Sequence, residues 1–195
     1  MTARESILQD VRNNLPTSRT LPMVPKFHSE TAPDLPLVFV QSLKKMAGES
    51  GTEYPADFDA FLRTRFPAAK RLCSAVSEYA GTCTPADFQH WSDASDIDVT
   101  VVRSPLGVAE TGSVLLSERE FQVNSIGFLA HDIVILLDPR DIVENIHDAY
   151  AHPYFQGTGY CLLMSGPSGS GDIGAVTVHP AQASMTLTVV FAPHK

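Results

Sequence analysis

Asp132–Tyr150 reads DIVILLDPRDIVENIHDAY, and its two halves have different textures. Asp132–Leu137 is rich in Ile, Val and Leu without polar alternation, as expected of a central strand covered on both faces. Asp138 then stands as a cap and Pro139 as a first helical residue, with Ile142, Val143, Ile146, Ala149 and Tyr150 at helical spacing. A buried strand followed by a helix packing its apolar stripe on the sheet is the unit of an α/β fold.

The same alternation extends outward. Ile97–Val102 and Met185–Phe191 alternate apolar and polar residues, whereas Ser113–Leu116, Arg71–Val76 and Tyr160–Met164 are short apolar runs, all expected strands. Leu37–Met46 suits a helix closed by Gly48 and Gly51. A second helix starts between Pro55 and Asp57, puts Phe58, Phe61, Leu62 and Phe66 on one face and stops at Pro67, and Thr84 caps a helical turn near Pro85–Trp91. At the start, Thr2 and Glu5 form a capping box before Ile7, Leu8, Val11 and Leu15, and Pro16 ends that helix. Five prolines between Pro16 and Pro36 then predict an extended stretch. The expected organisation is an arm over 1–36 and an α/β domain over 37–195, an open mixed sheet flanked by helices with ligands beyond its strand ends.

Composition narrows the function. A net charge of −8 disfavours nucleic acid and anionic lipid. Cys73, Cys83 and Cys161 are too few and too scattered for a disulfide framework, a zinc knuckle or an iron–sulfur cluster. The opening residues lack a signal-peptide core and no run is long enough for a membrane helix, so a cytoplasmic location is expected.

Two segments carry the candidate chemistry. GVAETGS, Gly107–Ser113, presents the Glu110 carboxylate, the Thr111 hydroxyl and the permissive Gly112 at one turn, so Glu110 is a candidate general base or substrate-orienting group, or else part of a plain hairpin. SGPSGSGDIG, Ser165–Gly174, is a glycine-rich turn with hydroxyls and Asp172. Gly169, Gly171 and Gly174 match G-x-G-x-x-G, yet Pro180 and the few residues that follow leave no room for a nucleotide-binding half. The segment also lacks the Lys of a P-loop, and Gly166–Gly169 is one residue short of a hydrolase elbow. His147 and His152 lie five apart, wrong for paired helical metal ligands, and no metal site is expected; His179 follows the glycine-rich turn and can return to its pocket.

Taken in order, VAETGSVLL, DIVILL, DPRDIVENIHDAY and SGPSGSGDIG, with the opening helix ESILQDVRNNL, resemble the LUD domain of the LutC/YkgG family of lactate utilization proteins. The resemblance implies a sheet of the NagB/RpiA/CoA-transferase type. It further implies participation in oxidation of L-lactate to pyruvate beside LutA/LutB-like partner subunits that hold the iron–sulfur clusters, with no cofactor in this chain. By position, the implied pocket takes Glu110, Thr111, Gly112, Ser113, Gly166, Pro167, Ser168, Asp172 and His179, and its ligand is a small carboxylate or phosphorylated molecule. Where the family usually has Ala-Asp-Ile-Glu, this chain has Gly171–Gly174, without the final carboxylate. The alternatives are a stand-alone enzyme resembling CoA transferases or sugar-phosphate isomerases and working through Glu110, and a scaffold with a vestigial pocket. The opening helix makes a homodimer a further expectation.

Overall fold

The structure is a computed structural model describing residues 2–16, 20, 22–23, 25, 33–51, 53–155, 157–167, 169–170, 177–178 and 184–194. Helix α1 (Ala3–Asn13) starts on the expected capping box: the Glu5 N–H donates to the Thr2 hydroxyl and the Thr2 N–H to the Glu5 carboxylate. None of its residues is buried. Helix α2 (Leu35–Lys45) begins earlier than its apolar run suggests, because Asp34 accepts from the Leu37 N–H and Pro36 fits the first turn, where its missing N–H costs nothing. Strand β1 (Glu49–Gly51) follows directly, so Gly51 lies in a strand and not in a helix terminus. Helix α3 (Phe58–Arg65) is capped by Asp57 and ends before Pro67, as expected.

After α3 come β2 (Leu72–Ser74), short turns at Pro85–Asp87 and Trp91–Ala94, β3 (Val99–Ser104), β4 (Leu106–Val108) and β5 (Ser113–Ser117). Next are α4 (Glu118–Phe121), β6 (Asp132–Leu137), β7 (Ile142–Val143), α5 (Ile146–Ala151) and β8 (Cys161–Met164). The chain closes with β9 (Gly169–Ser170), β10 (Thr177–Val178) and β11 (Thr186–Phe191).

Strands β1, β11, β6, β3 and β2 form, in that order, a sheet whose pairs are all parallel. One register row runs Gly51, Val190, Leu136, Arg103, which sets a common carboxyl edge just beyond it. A four-stranded sheet, β7-β4-β5-β8, contains both parallel and antiparallel pairs, and β9 pairs with β10. The α/β class with an open, mostly parallel sheet flanked by helices is therefore the expected one, the mixed pairing being confined to the second sheet.

Alternation along β6 explains the layers. Ile133, Ile135 and Leu137 point into a core shared with Phe39 and Leu43 of α2 and with Val114 and Leu116 of β5. Val134 and Leu136 point to the opposite core under Phe58 and Leu62 of α3. A third cluster joins Leu106, Val108 and Leu115 to Ala149 of α5. With both faces covered, β3 and β11 are buried almost throughout, including Thr100 and Thr188, so their polar alternation does not mark a solvent face.

One expectation is corrected. Pro139–Tyr150 is not a single helix on the sheet: Pro139–Asp141 makes one turn, Ile142 and Val143 pair with β4, and α5 begins at Ile146. The edge of β4 offers backbone partners to two β-branched residues, which outcompetes continued helix there. Tyr150 is 62% exposed and does not pack on the sheet.

Candidate functional site

Glu110, Thr111 and Gly112 form the tip of the β4–β5 hairpin, and buried Ser113 opens β5. The exposed Glu110 carboxylate accepts from the Ile146 N–H at 3.1 Å, and its own N–H donates to Glu144 O at 3.0 Å. The carboxylate therefore ties the hairpin tip to the first turn of α5, beside the Asn145 side chain that caps the same helix. Gly112 has φ +64°, and a Cβ there would enter the backbone of Leu43 in α2. Only glycine permits both that conformation and that approach.

Ser165 follows β8 and brings the second segment to the first: its Oγ donates to Thr111 O at 2.9 Å. Gly166, at φ +66°, presses on the carboxyl end of α2, where a Cβ would meet the backbone of Met46 and lie 3.1 Å from Gly48 N. Pro167 is buried behind it. Thus Glu110–Ser113 and Ser165–Pro167 meet around the end of α2, next to the amino end of β1. The Thr111 Oγ1 is buried there without a hydrogen-bond partner among the described residues. A buried hydroxyl left unpaired costs about 1–3 kcal/mol, which a bound polar group recovers. Ser168, Asp172 and His179 lie outside the described residues.

Sequence reading missed a second polar constellation at the opposite, carboxyl edge of the parallel sheet. Asp138, wholly buried after β6, receives the Arg140 guanidinium on both oxygens and the backbone N–H groups of Arg140 and His194. The Arg140 side chain first, with the two N–H groups against the cost of burial, holds the Asp138 carboxyl far below the usual carboxylate range. His194 Nε2 lies 2.7 Å from Asp141. Arg103, next to last in β3, bonds Glu78 through Nε and Nη2 and Ala192 O through Nη1. Burial works against the Glu78 charge, but the Arg103 bonds lead the contacts that outweigh it and keep that carboxyl below its ordinary value. The available signal was positional: Arg103 and Asp138 are charged residues closing apolar runs, where open α/β sheets place ligand groups.

The fold is similar to that of a DUF162 family protein. A solved structure, the crystal structure of a DUF162 family protein from Deinococcus radiodurans, matches with a TM-score of 0.61 at 13% identity, over 81% of this chain and 96% of that one. At that identity the likeness is one of fold. No protein-family model matches the sequence, and no curated protein does. Among the described residues no helix is long and apolar enough to cross a membrane.

Proposed function

We propose that this chain is a LutC-like accessory subunit of a system oxidising L-lactate to pyruvate, which binds a small anionic ligand at the junction of Thr111 and Ser165 and docks on LutA/LutB-like iron–sulfur subunits. The fold neighbour supports this reading, since DUF162 is the LUD domain family that the motifs resemble. The buried Thr111 hydroxyl carries it: two glycine-dependent turns converge on a polar group that has no hydrogen-bond partner among the described residues. Glu110, Ser113, Gly166 and Pro167 frame this junction, with Ser168, Asp172 and His179 proposed to complete it. The division of labour leaves redox chemistry to the partners.

Calorimetric titration with L-lactate, pyruvate and inorganic phosphate tests the ligand, using the wild type and Thr111→Val. The expected result is saturable binding of one of them, weakened about tenfold or more in the folded variant, since the loss of one hydrogen bond at a buried site is worth ~1.5 kcal/mol. Unchanged binding to Thr111→Val, or none to the wild type, refutes the site. Lactate turnover is expected only after mixing with iron–sulfur partner subunits. Turnover of a CoA ester or sugar phosphate by the purified chain would instead establish the stand-alone enzyme with Glu110 as base.

A further inference from the structure

Beyond the carboxyl ends of β2, β3 and β11 lies a cleft of about 430 Å³ walled by Ala75, Val76, Ser77, Glu78, Arg103 and His194. It shares no residue with the junction of Thr111 and Ser165. The Arg103 and Glu78 side chains are only 20% and 16% exposed, so the pair is held in place at the cleft wall. Of the five N–H donors of Arg103, three are used: Nε and Nη2 on Glu78 Oε1 at 3.0 and 2.6 Å, and Nη1 on Ala192 O at 2.7 Å. Two donors remain. Both Arg103 bonds fall on Oε1, while Oε2 of Glu78 receives the Ser77 hydroxyl at 3.3 Å and keeps lone pairs to spare.

Charge decides the class of ligand. A bare anion in this cleft gains from Arg103 and loses to Glu78 beside it, two terms of opposite sign at similar distance. A ligand carrying both charges on neighbouring atoms gains from each. We propose that the cleft binds a free α-amino acid, its carboxylate on the unused Arg103 donors and its ammonium on Glu78 Oε2. One carbon separates those two groups in an amino acid, a span that suits two side chains already in contact. His194, half-exposed and oriented by Asp141, forms the wall facing the ligand's side chain.

The full-length protein is screened by thermal shift against the twenty common α-amino acids singly at millimolar concentration. The best one is then titrated calorimetrically beside its N-acetyl and carboxamide derivatives. At least one amino acid raises Tm by about 3 °C or more, and each blocked derivative binds about tenfold weaker or worse. Arg103→Met abolishes binding. Ser77→Trp, which fills the cleft from an exposed position and leaves the ion pair intact, does the same and decides the matter should Arg103→Met fail to fold. Thr111→Val binds the amino acid like the wild type, which separates this cleft from the proposed lactate-system site. Absence of any binding amino acid, equal binding of the blocked derivatives, or undiminished binding to Ser77→Trp overturns the proposal.

Discussion

Asp138 shows how one residue can be legible in type and hidden in role. Its position before Pro139 marks it as a cap, and its carboxylate does accept from the Arg140 N–H at 2.9 Å. Nothing local announces the second backbone donor, His194, fifty-six residues away. Because the folded carboxyl titrates below its unfolded value, the stability it contributes is complete above about pH 4 and drains away as pH falls through the folded value. Asp138→Asn is expected to cost about 2 kcal/mol at pH 7, and its stability should decline less steeply than that of the wild type between about pH 4 and 2. Urea unfolding across that range measures both; parallel curves would refute the linkage. Thr111 is the converse case, since its hydroxyl was a candidate from sequence and only packing reveals that it is buried and without a partner among the described residues.

At the scale of elements, caps were readable because they act within a few residues. Thr2, Asp57 and Thr84 all sit where their types predict. The carboxyl end of α2 departs from expectation in an instructive way. Gly48 donates to Leu43 O and Ala47 to Lys44 O, but the residue in the left-handed region is exposed Ala47, at φ 61°. Ala47→Gly should therefore stabilise by about 0.5–1 kcal/mol, the relieved strain exceeding the added freedom of the unfolded chain, and a shift in chemical denaturation midpoint reads this out. Glu110 ties two elements together, and its substitution separates structure from chemistry. Glu110→Gln keeps an acceptor for Ile146 and should leave Tm nearly unchanged, whereas Glu110→Ala should cost about 0.5–1 kcal/mol. A loss of stability in Gln equal to that in Ala would show that the carboxylate charge matters more than the bond. The helix expected over Pro139–Tyr150 failed for a reason of the same scale: helical spacing and strand pairing compete, and β4 lies beside Ile142 and Val143.

The whole molecule comprises a parallel sheet between two cores, a second sheet packed against one of them, and an opening helix that none of those cores includes. Ile7, Val11 and Leu15 remain 63%, 56% and 65% exposed. Deleting residues 2–15 is accordingly expected to leave Tm within about 2 °C of the full chain, since little apolar surface returns to water; a larger fall would show that α1 has a partner surface. By itself, the sequence determined the α/β class, the central strand Asp132–Leu137 and the helix caps, because apolar periodicity and capping chemistry act between near neighbours. Only the tertiary structure decided that Ser165 bonds Thr111 around the end of α2, that β3 and β11 are covered on both faces, and that Arg103, Glu78 and His194 line one cleft. Those meetings depend on strand order and register, which join residues far apart in the chain and leave no trace in the spacing of any one segment.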